Sequence, residues 1–359
     1  MYNSRVIHSF KHNVIFDSTL AGLQQFISEM PDCDRFIIIC DTNTAVFCLP
    51  LLLERVKFST EPLVIVTEAG EHAKTLTSCI QIWQQFTQNT ISRNAVCINL
   101  GGGMVTDLGG FAASLYKRGI RFINVPTSLL AMVDASVGGK NGVDFSGIKN
   151  QIGLFSFPLT VFSATMFLKT LPERELLSGF AEMIKHGLLE GGMHWKKIYS
   201  TVPESVPDNP ELIIESVKVK NRFVISDPFD QNGRKALNFG HTVGHALEAF
   251  FLDAGPSAAL LHGEAIAVGM ITETYLSEML CGLSGETGKF IRDFILKWFK
   301  IPDFDVESVY MLSFHDKKNR NGVINCSLLV EPGSIRNDIY ISGELYLESL
   351  KYTRSLNNI

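Results

Sequence analysis

The sequence predicts an α/β protein whose N-terminal half forms a doubly wound, mainly parallel sheet and whose C-terminal half is mostly α-helical. In the first half, short apolar runs alternate with segments of helical periodicity, and strand–helix–strand units of this kind build parallel sheets. From about residue 166, long helical patterns dominate. We therefore predict two domains, 1–165 and 166–359, because a chain of 359 residues is long enough for both.

The predicted strands of the first domain are apolar runs that end in glycine or polar residues. They are RFIIICD (35–41), LVIVTEAG (63–70), AVCINLGGG (95–103) and RFINVPT (121–127). Helical segments follow the first three, through about Val56, at 74–88 and at about 105–117. Ligands of open α/β sheets bind at the carboxyl ends of the strands. The polar strand ends CDTN (40–43) and AGEHAK (69–74), with the glycines, therefore predict a ligand crevice.

The second domain consists of helical patterns with one strand signal near its end. Apolar residues recur in these patterns with the period of an α-helix. The predicted helices are 171–191, 210–225, 241–252, 263–280 and 288–299, and VINCSLLV (323–330) is predicted to be a hairpin strand.

Composition and charge exclude several classes of protein. The hydrophobic fraction is 46% and the net charge is −5, so we expect a compact fold without the broad basic surface of a nucleic-acid-binding protein. No apolar run is long enough to span a bilayer, and the N-terminal residues lack the pattern of a signal peptide. The seven cysteines are scattered and form no C-x-x-C pair, which suits a reducing compartment. We expect a cytoplasmic protein without a membrane partner.

A glycine-rich turn is the first motif with chemical meaning. INLGGGMVTDLGGF (98–111) places three glycines between a predicted strand and a predicted helix. Backbone N–H groups at such a helix N-terminus can bind a pyrophosphate. However, Gly102-Gly103-Met104 departs from strict G-x-G-x-x-G, so an ordinary tight turn is an equal alternative.

Isolated charged and polar residues lie in the glycine-rich, otherwise apolar segment 116–153. They are Arg118, Asp134, Lys140, Lys149 and Asn150. Single charges in such surroundings suit a lined pocket better than a solvated surface. Basic groups in a pocket predict an anionic ligand, most simply a phosphate or a carboxylate.

A candidate metal site consists of Glu182, His241 and His262. His241 and His245, in HTVGH, lie one turn apart on a helix. Glu182 lies three residues before Lys185 in apolar surroundings, and His262 begins a helix. A carboxylate and two histidines with open positions suit catalytic Zn²⁺, and His245 would then face the substrate. Half-buried core histidines and an ordinary i,i+3 ion pair are the alternatives.

Six motifs in order resemble the 3-dehydroquinate synthases, a family of the sugar-phosphate cyclase superfamily. They are GGGMVTDLGGFAAS, VPTSLLAMVDASVGGKNGV, GFAEMIKHG, LNFGHTVGHALE, LHGE and HDKK. The resemblance covers about residues 35–320. It implies an N-terminal NAD-binding α/β domain, a helical metal- and substrate-binding domain, and a homodimer. It also implies a catalytic divalent metal between the domains, usually Zn²⁺ and alternatively Co²⁺.

The resemblance assigns most of the candidate residues to roles. The implied metal ligands are Glu182, His241 and His262. The implied NAD-site positions are Asp41, Asn43, Gly70, Glu71, Lys74, Gly102, Gly103, Met104, Val105, Asp107, Thr127, Ser128, Lys140, Lys149, Phe167, Lys169 and Thr170. The implied catalytic and substrate-binding groups are Lys140, Asn150, His245 and Lys318 for phosphate, Lys149 and Arg234 for a carboxylate, Asp134, Lys185, Lys220 and Asn238 for hydroxyls, and Arg118, which reaches the neighbouring subunit's site.

The chemistry that the resemblance implies is a phosphate-eliminating lyase reaction of the shikimate pathway, in aromatic amino-acid biosynthesis. The substrate would be 3-deoxy-D-arabino-heptulosonate 7-phosphate, and the products 3-dehydroquinate and phosphate. Transient oxidation by NAD⁺ acidifies a C–H bond, phosphate leaves, hydride returns, the ring opens and an intramolecular aldol step closes the carbocycle. NAD would thus be a recycled catalyst.

Three departures from the family pattern and two alternative functions accompany this prediction. FFLDAGPSAAL lengthens the segment before His262, Ser128 replaces a common Thr, and Asp230 replaces a common Glu. One alternative is another sugar-phosphate cyclase, acting on a heptulose or hexose phosphate. The other is a metal-dependent polyol dehydrogenase, although the Lys that such enzymes carry shortly after the Asp of the glycine-rich turn is missing after Asp107.

Overall fold

The computed structural model describes residues 5–146, 148–253, 255, 258–314 and 323–358. Lys318 and the HDKK motif lie outside these residues. The strands of the first part of the chain are β1 (Arg5–His8), β2 (Asn13–Phe16), β3 (Phe36–Asp41), β4 (Leu63–Thr67), β5 (Val96–Gly101), β6 (Arg121–Pro126), β7 (Lys140–Phe145), β8 (Ile148–Phe155) and β9 (Thr160–Ser163).

A seven-stranded sheet confirms the predicted α/β class. Its strand order is β1-β2-β9-β6-β5-β3-β4. All neighbouring pairs are parallel except the pair at the β1 edge, which is antiparallel. Strands β7 and β8 form a separate antiparallel hairpin.

A helix lies at each predicted helical segment to within a few residues. The helices are α1 (Ala21–Ser28), α2 (Thr42–Phe47), α3 (Leu49–Arg55), α4 (Leu76–Gln88), α5 (Gly103–Leu115), α6 (Glu173–Glu190), α7 (Gly192–Tyr199), α8 (Pro210–Ser226), α9 (His241–Asp253), α10 (His262–Cys281), α11 (Gly285–Leu296), α12 (Val306–Ser313) and α13 (Gly343–Ser355). Of these helices, α1, α7, α12 and α13 were not predicted. The predicted strand at 323–330 is β10 (Ile324–Glu331), which pairs with β11 (Ser334–Ile341) in an antiparallel hairpin.

The central strands β3 and β5 are mostly apolar and buried along their whole length, because helices cover them. Every residue of β3 and β5 is buried, as expected for parallel strands with both faces covered. Ile37 and Cys97 of these strands share one core cluster with Phe86 of α4 and Leu108 of α5. Burying one such large apolar side chain contributes roughly 1.5–3 kcal/mol, so this cluster fixes where the strand ends lie.

The chain divides into two compact units that differ from the predicted domains. The first unit extends to Leu176 and also contains Glu204–Phe229, whereas the second contains Leu177–Pro203 and the chain from Asp230 onward. Helix α8 belongs to the first unit because its side chains bond to that unit's backbone. Asn221 donates to the carbonyl of His8, and Lys220 donates to the carbonyl of Asp134. The predicted single boundary near residue 165 does not account for the segment Glu204–Phe229, which belongs to the first unit.

All seven cysteines are free thiols. Six are buried and Cys33 is partly exposed. Burial raises the pKa of Cys40 to about 12 and that of Cys48 to about 11, so both remain protonated at neutral pH. No helix within the described ranges has both the length and the apolar character needed to cross a membrane.

Candidate active site

Three helices of the second unit bring the three predicted metal ligands together. Glu182 lies on α6, His241 begins α9 and His262 begins α10. Oε1 of Glu182 lies 3.7 Å from Nε2 of His241 and 3.4 Å from Nε2 of His262. One ligand atom from each residue lies within 4.8 Å of the others, a spacing that one cation can bridge.

Glycines at the helix crossings allow this approach. A Cβ on Gly263 would lie 2.0 Å from the carbonyl oxygen of Ser178, one helical turn before Glu182. A Cβ on Gly269 would lie 1.9 Å from the carbonyl oxygen of Gly240. The backbones of α6 and α9 therefore contact α10 directly, and the residues beside these contacts are the candidate ligands.

Hydrogen-bond acceptors orient both imidazole rings. Nδ1 of His241 lies 3.3 Å from the carbonyl oxygen of Phe239, and Nδ1 of His262 lies 3.3 Å from Oε1 of Glu248. Both acceptors favour an Nδ1–H, so Nε2 is the ring nitrogen that faces Glu182 and that can bind a cation once it carries no proton. A carboxylate acceptor behind a ligating histidine is a common arrangement at zinc sites.

The carboxylate of Glu182 is shared between the histidines and a lysine. Its Oε2 forms an ion pair with Nζ of Lys185, and both side chains are buried. Burial alone would lower the pKa of His262, but the carboxylates of Glu248 and Glu182 outweigh burial and raise that pKa to about 9. A cation bound by Nε2 would therefore displace a proton from His262 at neutral pH.

His245 lies beside this group. The centroid of its ring lies 5.3 Å from that of His241 and 6.3 Å from that of His262. Among the described residues, the group of ligand atoms within 4.8 Å comprises Glu182, His241 and His262 without His245. The difference in role between the two histidines of HTVGH stays a prediction.

The donor set fits a catalytic divalent metal. Two imidazole nitrogens and one carboxylate oxygen are the protein ligands of several catalytic zinc sites, in which the remaining positions take water or substrate. The oriented rings and the buried carboxylate supply the neutral and anionic donors that Zn²⁺ and Co²⁺ prefer.

The first unit contains the glycine-rich turn at the predicted place. Gly101 ends β5, Gly102 precedes α5, and α5 has no side-chain cap at its N-terminus. A Cβ on Gly102 would lie 3.3 Å from Oγ of Ser128, and the N–H of Thr127 donates to the carbonyl of Gly101. The turn therefore packs against the segment after β6. Its N–H groups at the helix N-terminus suit a pyrophosphate.

A charged network surrounds Lys74. Nζ of Lys74, which is buried, lies 2.7 Å from Oδ2 of Asp107 and 3.5 Å from Oε1 of Glu71. Nζ of Lys149 lies 3.7 Å from the same oxygen of Glu71. Burial alone would lower the pKa of Lys74, but Asp107, Glu71 and Asp144 outweigh burial and raise it. Lys74 is therefore a permanent cation within a mostly anionic group.

Several predicted NAD-site residues already have structural roles. Oδ1 of Asp41 accepts the N–H groups of Asn43 and Thr44 and so caps α2. The side chains of Met104, Val105 and Phe167 are buried, so only their backbones remain for a ligand. Gly70 has φ +104°, a conformation that glycine adopts without strain.

Lys220 and Asp134 meet within the first unit, whereas Lys140 lies at the opposite end of the β7–β8 hairpin from Lys149 and Asn150. Nζ of Lys220 lies 2.7 Å from Oδ1 of Asp134 and 2.5 Å from its carbonyl oxygen, and Asp134 lies in a π-helical turn, Ala131–Ala135. Such turns are frequent at functional sites. Lys140 begins β7, and Lys149 and Asn150 lie near the start of β8.

The other predicted residues have defined positions on turns and 3-10 helices. Arg118 is exposed and has φ +68°; Lys169 and Thr170 are exposed at the end of the 3-10 helix Thr165–Thr170. Arg234 is buried and Asn238 is half-buried on the 3-10 helix Gly233–Asn238. Lys318 lies outside the described residues.

The structure adds three carboxylates that the sequence analysis did not identify. Glu248 orients His262, Asp144 accepts the N–H of Asn150 at 2.7 Å, and Glu273 accepts N–H groups at the start of α9. The sequence spacing indicated Glu248, because this residue lies seven residues after His241 and therefore on the same face of the helix. Glu273 had a weaker signal, because it is the carboxylate within the otherwise uncharged stretch 265–276 of α10.

Two family models match the chain in sequence. The model described as 3-dehydroquinate synthase N-terminal matches residues 64–178, and the model described as 3-dehydroquinate synthase C-terminal matches residues 179–319. The 3-dehydroquinate synthase of Parabacteroides distasonis is 43% identical over 95% of this chain and 97% of its own length. The chain belongs to the 3-dehydroquinate synthase family.

Further comparisons agree with this family and with the fold. The 3-dehydroquinate synthase of Clostridium acetobutylicum is 37% identical over 91% of this chain and 92% of its own length. The structure of ValA, a 2-epi-5-epi-valiolone synthase from Streptomyces hygroscopicus with bound NAD⁺ and Zn²⁺, superposes with a TM-score of 0.84. It covers 98% of this chain and 99% of its own at 21% identity, which supports the shared fold.

Proposed function

We propose that this member of the 3-dehydroquinate synthase family converts 3-deoxy-D-arabino-heptulosonate 7-phosphate into 3-dehydroquinate and phosphate, as a lyase dependent on NAD and a divalent metal. The observation that carries the proposal is the group of Glu182, His241 and His262, with both rings oriented for binding through Nε2. Relatives with 43% and 37% identity over nearly their full length carry the name of this activity.

The chain's own residues supply sites for both cofactors. Glu182, His241 and His262 would hold Zn²⁺ or Co²⁺, and the turn at Gly101–Gly103 with the N-terminus of α5 would hold the pyrophosphate of NAD. When bound, NAD would accept and return a hydride, and the metal would orient two ring hydroxyls and polarise the developing carbonyl. The ValA structure holds NAD⁺ and Zn²⁺, which supports this choice.

Basic residues would bind the anionic ends of the substrate. We assign Lys140, Asn150, His245 and Lys318 to the phosphate, where they would stabilise negative charge as the C–O bond breaks. Arg234 and Lys149 would bind the carboxylate, Arg234 through two parallel hydrogen bonds. Asp134, Lys185, Lys220 and Asn238 would contact the hydroxyls. We assign the remaining predicted NAD-site residues to the binding of that cofactor.

The alternatives are less well supported by the same residues. Arg234 is buried, and a guanidinium held in one orientation can bind a substrate carboxylate through two parallel hydrogen bonds. In a cyclase whose substrate lacks a carboxylate, Arg234 and Lys149 would have no carboxylate to bind. A polyol dehydrogenase would have no use for the phosphate-directed cations.

We also propose a homodimer in a reducing, cytoplasmic compartment. The free thiols support the compartment. Arg118, exposed on a turn at the end of α5, would contact the phosphate site of the neighbouring subunit. To test this, Arg118→Ala and His241→Ala chains are mixed after separate purification. In a mixed dimer, one site combines intact metal ligands with an intact Arg118, so we expect activity to return, and unchanged inactivity would contradict a shared site.

The decisive experiment incubates the metal-replete protein with a catalytic amount of NAD⁺ and the seven-carbon keto-acid phosphate. We expect stoichiometric phosphate and 3-dehydroquinate, identified by mass spectrometry and NMR, with no net NADH. Turnover of sedoheptulose 7-phosphate or glucose 6-phosphate instead would assign the chain to another cyclase activity. NADH accumulation with simple polyols would indicate a dehydrogenase.

A further inference from the structure

A buried carboxylate of α10 holds the backbone on both sides of His241. Glu273 is fully buried. Its Oε2 accepts the N–H of Gly240 at 2.6 Å, and its Oε1 accepts the N–H of Thr242 at 3.2 Å. His241 is the residue between these two donors, so one carboxylate fixes the start of α9 at a proposed metal ligand.

Glu273 replaces a helix cap that the local sequence cannot provide. Helices usually begin after a Ser, Thr, Asp or Asn whose side chain accepts an N–H of the first turn. The residue before α9 is Gly240, with φ +83°, and a Cβ there would lie 2.6 Å from Cγ of Met270 and 2.9 Å from the carbonyl oxygen of Ile266. The close contact with α10 therefore excludes a capping side chain at this position.

The location of Glu273 suits an anion and links two candidate ligands. The N-terminus of a helix carries partial positive charge, which stabilises a carboxylate. Glu273 also lies on the same helix as His262, about three turns further along. Since Phe239 holds the ring of His241 through Nδ1, ring and backbone are both fixed relative to α10.

We propose that Glu273 is a positioning residue of the metal centre, which caps α9 from α10 and thereby directs Nε2 of His241 towards Glu182. This inference rests on the metal site of the proposed function. Glu273 itself contacts neither the substrate nor the cation. Its effect should therefore appear in metal affinity and in the geometry of the bound ion.

The test compares Glu273→Gln with Thr272→Val in the full-length protein. The amide of Gln keeps the shape of the side chain but offers one acceptor in place of two. Thr272 is the neighbouring buried residue, and its hydroxyl bonds to Thr353 and to the carbonyl of Val268. Thr272→Val thus removes buried hydrogen bonds from the same helix without changing the start of α9. Zn²⁺ affinity is measured by competition with a chromophoric chelator, and the coordination geometry by the visible spectrum of the Co²⁺ form.

We expect Glu273→Gln to weaken Zn²⁺ binding about tenfold or more, as loss of a supporting hydrogen bond around a metal site does, and to change the Co²⁺ spectrum. Thr272→Val should lower the melting temperature and leave both readouts unchanged. Unchanged affinity and spectrum in Glu273→Gln would overturn the inference while the metal site stands. If the unaltered protein bound no metal, the proposed site and this inference would both fail. Should Glu273→Gln not fold, Glu273→Asp, whose carboxylate is one methylene nearer to α10, provides the same comparison.

Discussion

Nδ1 of His262 lies 3.3 Å from Oε1 of Glu248, a residue that is almost fully buried. The carboxylate fixes the tautomer of the imidazole and increases the basicity of Nε2. His262 follows the segment FFLDAGPSAAL, which the sequence analysis identified as lengthened. The structure nevertheless places its ring 3.4 Å from the Glu182 carboxylate, measured between Nε2 and Oε1.

Replacing this acceptor should weaken metal binding without removing a ligand. We expect Glu248→Gln to reduce Zn²⁺ affinity about 10- to 100-fold, measured by chelator competition at constant pH. Glu344→Gln, which neutralises an exposed carboxylate on α13, is the matched control and should have no effect. Equal affinities of the two variants would show that Glu248 does not support the metal centre.

The two histidines of HTVGH provide a matched pair of substitutions on one helix. His241→Ala should abolish stoichiometric Zn²⁺ binding, because it removes one of three ligands. His245→Ala should retain the metal and lower kcat about 10²- to 10³-fold, the effect typical of losing a group that stabilises developing charge. Metal content is measured by elemental analysis after dialysis, and kcat by phosphate release. Metal loss of the same extent in both variants would contradict the difference in role.

The contact between Gly263 and Ser178 should tolerate no side chain. Gly263→Ala would place Cβ 2.0 Å from a backbone oxygen, and we expect a loss of about 1–3 kcal/mol in the free energy of unfolding, together with weaker Zn²⁺ binding. Gly285→Ala, at the start of α11 where nothing lies within 4 Å of the new Cβ, should be neutral or slightly stabilising. Denaturant unfolding of the two metal-free variants measures their free energies of unfolding. Equal stability of Gly263→Ala and Gly285→Ala would indicate that α6 and α10 can move apart.

Lys74 should make the stability of an Asp107 variant depend on pH. In the unaltered protein its raised pKa means that the charged form stabilises the fold at all pH values below the unfolded pKa of about 10.4. Asp107→Asn removes the carboxylate that raises the pKa of Lys74 most, so burial lowers the pKa of Lys74 in the variant. We expect the free energy of unfolding to fall by about 3 kcal/mol at pH 7.

The difference in unfolding free energy between the unaltered protein and Asp107→Asn should become smaller as pH rises from 7 to 10. At higher pH, less free energy is needed to keep Lys74 neutral in the folded variant. Urea unfolding at several pH values measures this. Asp338→Asn, at the more exposed ion pair with Lys235, is the control and should change stability little. A difference that stays constant with pH would mean that Glu71 and Asp144 alone keep Lys74 charged.

The elements that repeat a regular pattern could be predicted from the sequence. The apolar run at 35–41 and the long apolar segment at 263–280 correspond to β3 and α10, because length distinguishes a short buried strand from a buried helix. The β7–β8 hairpin could not be predicted, because its glycines and polar residues show no regular alternation of apolar and polar side chains. The return of α8 to the first unit depends on hydrogen bonds such as that from Asn221 to the carbonyl of His8, between residues far apart in the chain.

Within the candidate site, residue type and spacing predicted the groups that would bind a ligand but not those that hold them. Glu182, His241 and His262 can be found from chemistry and family resemblance, because few other combinations suit a metal. Glu273 and Asp144 act through backbone N–H groups, which have no counterpart in the sequence. The helix cap formed by Asp41 was missed for another reason, because a carboxylate after a strand suits a ligand as well as a cap.

The contact of Gly240 with Gly269 also has a consequence for metal selectivity. Because two backbones touch there, His241 and His262 begin helices in close contact, and the candidate site offers two imidazole nitrogens and one carboxylate. Mg²⁺ and Ca²⁺ require mostly oxygen ligands, and Ca²⁺ requires six to eight of them in an adaptable site. We therefore expect the imidazole pair that this glycine contact brings together to disfavour the abundant alkaline-earth cations and to select scarce ions of the first transition series.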